Sequence, residues 1–172
     1  VAVNDVITAA TAEVAAAAAR FEPYHQGSLY GFSEMANAGG REDPLYDHSP
    51  FIGIANPLAP PMTIREEDDV IVAEVVFGQA YEGPPGHVHG GVSALILDHV
   101  LGEAASPDQK PRFTGSITVR YLRATPLGPL RTEAVRTRTE GVKTDCTGTI
   151  ADAEGITVEA EGVFITPRWL RD

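Results

Sequence analysis

The chain predicts an α+β domain in which an antiparallel β-sheet wraps one long central helix, with an N-terminal helical extension. Three observations carry this prediction. A single apolar helical stretch opens on Gly90 and Gly91, runs to about Ala105 and is stopped by Pro107. Four strand-like stretches follow it in series, and two of their separators are short enough for antiparallel hairpins. Two more strand-like pieces precede it, around the acidic run Glu66-Glu67-Asp68-Asp69. Strands segregated from one apolar helix, rather than alternating with several, point away from a parallel sheet.

Taken in order, the chain opens with an alanine-rich helix capped by Asn4 or Asp5 and reaching Ala19, with Val6, Ile7 and Val14 giving a weak apolar stripe. It begins without positive charge and carries Asp5 and Glu13, so it reads as a helix rather than a leader. Residues 21–50 mix Pro, Gly, Asn, Asp and His without a steady period, which predicts loop with one short helix over 33–38. We set the extension at residues 1–44 and the main domain at 45–172. Residues 51–55 read as a short strand, broken by the prolines of 57–61. Strands over 62–65 and 70–79 flank the acidic run, read as a solvated hairpin tip. The later strands fall at 112–122, 130–140, 143–152 and 156–166. Alternation is clearest from Ser116 to Tyr121 and from Val158 to Val163.

The 172 residues suffice for one domain with a sizeable core. No apolar run approaches the roughly 20 residues that span a bilayer, and a net charge of −11 argues against nucleic acid and anionic membranes as partners. The charge is uneven. Residues 110–143 hold 8 Lys and Arg against 2 Asp and Glu, a basic segment in an acidic chain that suits an anionic small molecule. The lone cysteine, Cys146, has no intrachain partner, fits a reducing, cytoplasmic setting and reads as a buried structural thiol.

The chemistry concentrates between Tyr81 and Asp98. On a helical wheel Val92, Leu95, Ile96 and Val100 face one way, and Gly91, Ala94, Asp98, Leu101, Gly102 and Ala105 another, so the helix is apolar over most of its circumference. Asp98 is the exception. An unpaired carboxylate in such surroundings costs several kcal/mol, and residues that carry that cost are often functional; an arginine partner or an exposed edge would explain it otherwise. Gly90 and Gly91 stand at the helix start, where free N–H groups and the positive end of the dipole favour developing negative charge. An electrophile stabiliser and a base are two requirements of acyl hydrolysis. His99 points about 100° away from Asp98 and reads as structural. His25 and His48 are too irregularly spaced to argue a metal site.

Gly83-Pro84-Pro85-Gly86-x-x-His89-Gly90-Gly91, with Asp98 following on the helix, then Thr114-Gly115-Ser116-Ile117-Thr118-Val119-Arg120-Tyr121-Leu122-Arg123 and Pro126-Leu127-Gly128, closely resembles the hotdog-fold acyl-CoA thioesterases. The nearest likeness is to the branch of the mitochondrial long-chain acyl-CoA thioesterases, with the phenylacetate-pathway thioesterases more distant. The resemblance covers residues 45–167. It implies a hotdog fold, dimerised so that active sites lie between subunits, and hydrolysis of a fatty or aryl acyl-CoA to the free acid and CoA. It further implies that Gly90 or Gly91 gives a backbone donor to the thioester oxygen, with His89 holding the turn or assisting. Asp98 would activate water or attack directly, and Thr114 with Ser116 would position that water. An asparagine that some relatives carry six residues before the histidine is Gly83 here, and His87 stands where the nearest branch often has an aromatic residue, which bears on the acyl pocket.

Helix geometry points to the dimer independently. Gly90 and Asp98 are about 12 Å apart along a regular helix, whereas donor and base acting on one carbonyl converge within a few ångströms. Asp98 of one subunit is therefore expected opposite the Gly90 and Gly91 end of another, in a homodimer or homotetramer. Arg120 and Arg123, with Lys110, Arg112 or Lys143, are candidates for the phosphates of coenzyme A, which is part of the substrate; no separate cofactor and no metal are expected. Two competing readings remain: a non-catalytic acyl-CoA-binding protein, which needs no base, and a hydratase or dehydratase pairing His89 with Asp98. No GxSxG motif supports a serine hydrolase.

Overall fold

In the computed structural model of the chain, residues 2–24 and 49–171 are described. They belong to two units, Val1–Glu34 and Met35–Asp172, each taken by itself. The short helix expected over 33–38, the boundary expected at residue 44, and His25 and His48 lie outside the described residues.

The first unit contains helix α1, Val3–Ala19, followed by a turn of 3-10 helix at Glu22–Tyr24. Its cap position is Ala2, which makes no side-chain bond, so the start expected at Asn4 or Asp5 is corrected. The alanines from Ala9 onward sustain the helix without a polar cap, and Asp5 lies inside the first turn, where its charge meets the positive end of the dipole. No residue of α1 is buried.

Among the described residues the second unit holds six strands: β1 (Met62–Glu67), β2 (Val70–Phe77), β3 (Phe113–Tyr121), β4 (Gly128–Glu140), β5 (Lys143–Asp152) and β6 (Gly155–Ile165). They form one antiparallel sheet in the order β1-β2-β4-β5-β6-β3, so β1 and β3 are its edges. Helix α2, Gly90–Ala105, joins β2 to β3 with the bounds expected of it. The β1–β2 hairpin turns on Asp68 and Asp69 alone, both at positive φ (48° and 67°), as a tight primed turn requires. Glu66 and Glu67 belong to β1 instead, and Arg65 bonds Glu67 at 2.6 Å and Glu74 at 2.9 Å, holding the Glu67 carboxyl below its ordinary range.

The core lies between α2 and one face of the sheet. Ser93, Ile96, Leu97, Val100, Leu101 and Ala104 are buried at spacings of three and four residues. Fully burying each of the large aliphatic side chains contributes roughly 1.5–3 kcal/mol. This stripe is narrower than the wheel suggested: Leu95 is 37% exposed, because a single sheet covers only one side of a helix. Leu101 settles onto bare backbone, 3.2 Å from where a Cβ on Gly148 would stand and 3.4 Å from one on Gly162. Cys146 is buried beneath the helix, and burial pushes its thiol up to about 11.

Residues 51–55 are turns, not a strand. The Gly53 N–H bonds Ser49 O and the Asn56 N–H bonds Gly53 O, both at 3.0 Å. Backbone groups satisfied locally offer no ladder to a neighbouring strand. The apolar Phe51 serves another purpose, stacking on His99 with ring centroids 4.6 Å apart. Among the described residues no helix is long and apolar enough to cross a membrane.

Candidate functional site

The loop before α2 is held from both sides. Gly83 N–H bonds His87 O and His87 N–H bonds Pro84 O, each at 2.9 Å, closing the Pro84-Pro85-Gly86 turn. Val88 N–H reaches Thr125 O at 2.9 Å, Leu127 N–H reaches Gly86 O at 3.0 Å, and His89 N–H reaches Tyr81 O at 2.9 Å. The helix therefore starts from a fixed point. His87 donates from Nδ1 to Pro85 O at 2.8 Å, which folds its ring onto its own loop.

His89 is the N-cap. Its Nδ1 accepts the Gly91 N–H at 3.0 Å, while its carbonyl accepts Val92 N–H at 2.9 Å and Ser93 N–H at 3.2 Å. An Nδ1 that accepts places the proton of the neutral ring on Nε2. Of the first four N–H groups of the helix, three are thereby satisfied, and the fourth, that of Gly90, has no acceptor among the described residues. Of the two glycines, Gly90 carries the N–H left available. Tyr121, from the end of β3, donates its hydroxyl to Gly90 O at 2.8 Å and lays its ring beside that residue.

Asp98 is half-buried and accepts the Thr114 hydroxyl at 2.8 Å on Oδ1. Strict alternation would place Thr114 on the same face as Ser116. The structure departs from alternation at this point: the β3–β6 register shifts between Thr114 and Ser116, pairing Thr114 with Phe164 and Ser116 with Val163. One extra residue in a strand reverses the facing of everything beyond it. Thr114 thus joins Ile117, Val119 and Tyr121 toward the helix, and Ser116 turns to the outer face, away from Asp98. Gly115 supplies the bulge at a crowded position: a Cβ there would stand 3.0 Å from Ile165 Cγ1 and 3.2 Å from Val163 O.

Asp98 and Thr114 open onto a cleft of about 540 Å³ that also takes in Phe51, Gly102, Phe113 and Phe164, a volume typical of small-molecule sites. Gly90, Gly91, His89, His87, Ser116, Arg120 and Arg123 do not line it. The expected residues therefore gather into two groups at the two ends of β3: Asp98 with Thr114, and His89, Gly90 and Gly91 with Tyr121.

Arg123, expected among the phosphate ligands, is committed elsewhere. It forks onto both carboxylate oxygens of Asp152, at 2.8 Å to Oδ2 with a closer contact to Oδ1, and donates to Gly155 O at 2.8 Å. That guanidinium holds the Asp152 carboxyl down at about 2. Its role is to tie the end of β3 to the β5–β6 turn. Arg120 is exposed, lies on the outer face with Ser116 and has no ion-pair partner among the described residues. Tyr121 is the site residue that sequence reasoning missed, although its inward phase with Ile117 and Val119 was legible.

The family model of the thioesterase superfamily matches residues 85–159. A crystal structure of a thioesterase superfamily protein is similar at 35% identity, covering 93% of this chain and 78% of that one with a TM-score of 0.79. A phenylacetic acid degradation-related protein from Ralstonia eutropha shares the fold at 22% identity, 61% and 84% coverage and a TM-score of 0.57. So does a hypothetical thioesterase protein from Streptococcus pneumoniae solved with coenzyme A, at 18% identity, 60% and 86% coverage and a TM-score of 0.56. No curated protein matches the chain.

Proposed function

The chain belongs to the thioesterase superfamily, and on that premise we propose that it hydrolyses the thioester of a fatty or aryl acyl-CoA, releasing the free acid and CoA. The observation that carries this reading is the Thr114 hydroxyl on Asp98 at 2.8 Å, on the wall of a cleft. Asp98, oriented by Thr114, takes a proton from a water as that water attacks the thioester carbon. The carbonyl oxygen, gaining negative charge, is received by the Gly90 N–H at a helix N-terminus. Collapse of the tetrahedral species breaks the C–S bond, and the sulfur leaves as the CoA thiol with the proton that Asp98 accepted. Water and substrate alone balance the reaction, so no cofactor or metal enters this reading.

The two halves act in trans. Gly90 and Asp98 are about 12 Å apart along α2, and the groups they anchor sit at opposite ends of β3, an edge strand with one side unpaired among the described residues. Antiparallel pairing of two such edges brings the Thr114 end of one subunit beside the Tyr121 end of the other, which supports a homodimer, alone or within a tetramer. The coenzyme A in the Streptococcus pneumoniae structure supports CoA as the leaving group. A single buried thiol suits the cytoplasm.

Thiol release from acyl-CoAs of graded length tests the reading. Asp98→Asn is expected to lower kcat on the order of 100-fold, as loss of a general base does. Equal turnover by the variant overturns the role of Asp98. No turnover by the natural chain together with tight acyl-CoA binding favours the non-catalytic binder.

A further inference from the structure

Gly102 lies one helical turn beyond Asp98 on the same side of α2, and both line the cleft. Glycine is a poorer residue than alanine inside a helix, since it has more backbone freedom to lose. On the sheet, bare positions are demanded by neighbours: a Cβ on Gly148 would stand 2.8 Å from Glu133 O, and one on Gly162 would stand 2.8 Å from Phe164 Cε2. No such demand exists at Gly102. Among the described residues outside its own helix, the nearest atom to a Cβ there is Phe164 Cε1, at an ordinary contact distance of 3.5 Å. The fold has room for alanine, and the space a methyl would enter is the cleft.

The cleft walls say which part of a thioester belongs there. Phe51 and Phe113 supply accessible apolar surface, and the buried Ile71, Ala104 and Phe164 border it by their edges. Among the described residues its charges nearly cancel, with Glu66, Asp69, Asp98 and Glu103 against Lys110, Arg112 and Arg136, and Arg112 is already paired with Asp108 at 2.6 Å. A polyphosphate arm needs a surplus of available cations; an acyl group needs none.

We propose that Gly102 is a specificity-determining residue: the acyl group leaves the carbonyl at Asp98 and Thr114 and crosses the bare helix turn at Gly102, where a methyl would stand over the edge of the buried Phe164 ring. The glycine is kept by the substrate, not by the fold. This rests on the reading of the chain as an acyl-CoA hydrolase.

The test compares the natural chain with Gly102→Ala and Gly102→Leu on acetyl-, octanoyl-, palmitoyl- and phenylacetyl-CoA by thiol release, with thermal unfolding and sedimentation on the same samples. Gly102→Ala is expected to melt no lower than the natural chain and to keep its oligomeric state. Its kcat/KM should stay within about twofold on the shortest acyl-CoA turned over and fall about tenfold or more on the bulkiest, the usual consequence of one methyl group misplaced in an apolar pocket. Gly102→Leu should move the cut-off to shorter groups. A uniform change across all acyl groups, no change, a lower melting temperature or an altered oligomeric state would each overturn the proposal while leaving the hydrolase reading intact. Inactivity of the natural chain on every acyl-CoA would overturn both.

Discussion

Gly90→Pro offers a way to delete a backbone donor without touching any side chain. Proline removes the N–H and, at the first helical position, costs the helix nothing, because that N–H has no intrahelical partner. His89 already has φ −61° and ψ 132°, the extended conformation a residue adopts before proline. The atoms of the Tyr121 ring lie 3.4 Å from a Cβ at this position, in contact but without overlap. Gly90→Ala adds the same Cβ and keeps the N–H, which makes it the control. Loss of one oxyanion donor is worth about 2.7–4 kcal/mol, or about 10²–10³ in kcat. Steady-state thiol release should therefore separate the two variants by at least about 100-fold, while their melting temperatures differ by a few degrees at most. A sharper version mixes Gly90→Pro with Asp98→Asn. If each site draws its donor and base from different subunits, a heterodimer has one site with both defects and one with neither, and a statistical mixture recovers about a quarter of full activity. Equal activity of the proline and alanine variants would refute the assignment of the donor, and a mixture with no recovery would refute the shared site.

Further outcomes are expected. His89→Ala removes the cap of α2 and should cost about 1 kcal/mol, lowering the melting temperature by roughly 3–5 °C, whereas His89→Asn should restore it; an unchanged melting temperature would remove the capping role. Thr114→Val keeps the shape and deletes the hydroxyl on Asp98; a hydrogen bond to a charged group is worth about 1.5–3 kcal/mol, so kcat should fall about tenfold or more with KM little changed, and Thr114→Ser should retain most of it. Gly115→Ala forces Ile165 and the Val163 carbonyl to give way, and denaturant unfolding should register a loss of about 1–3 kcal/mol. The Asp152 carboxyl sits at about 2 in the fold against about 3.9 when unfolded. A depressed value stabilises above the unfolded one, so this contribution is complete above about pH 4 and fades as pH falls toward 2. Arg123→Gln should flatten that acid limb in unfolding followed by circular dichroism; an unaltered limb would dissociate Asp152 from it.

The central helix was legible to the residue because its signals are local: two glycines at one end, a proline past the other and an apolar stripe between them. The strands were legible to within two residues for the same reason, since alternation and turn residues are written in the segment itself. What escaped depends on pairing across the sheet. Thr114 reaches Asp98 only because Gly115 makes a bulge, and a bulge shows itself in the register with β6, some fifty residues on. Arg123 reads as a free cation in the sequence because its partner, Asp152, becomes a neighbour only when β6 lies between β5 and β3. Tyr121 meets Gly90 across 31 residues. Phe51 was assigned to a strand on its apolarity, when its neighbours Ser49 and Gly53 already closed a turn around it. In the candidate site the residue types could be named in advance, and their grouping into two separate halves could be argued from helix length; that Thr114 and Ser116 occupy opposite sides of β3 could not.

Cys146 has a practical consequence for every assay described above. It is the only thiol in the chain, it lies in the core, and burial pushes it up to about 11, so at neutral pH it is neither accessible nor ionised, and only the thiolate reacts. A colorimetric thiol reagent added to the native protein should stay dark, and all colour that develops with acyl-CoA belongs to released CoA. When the protein is unfolded without substrate, the same reagent should report one thiol per chain. The molecule thus carries its own indicator, distinguishing a variant that has lost its chemistry from one that has lost its fold.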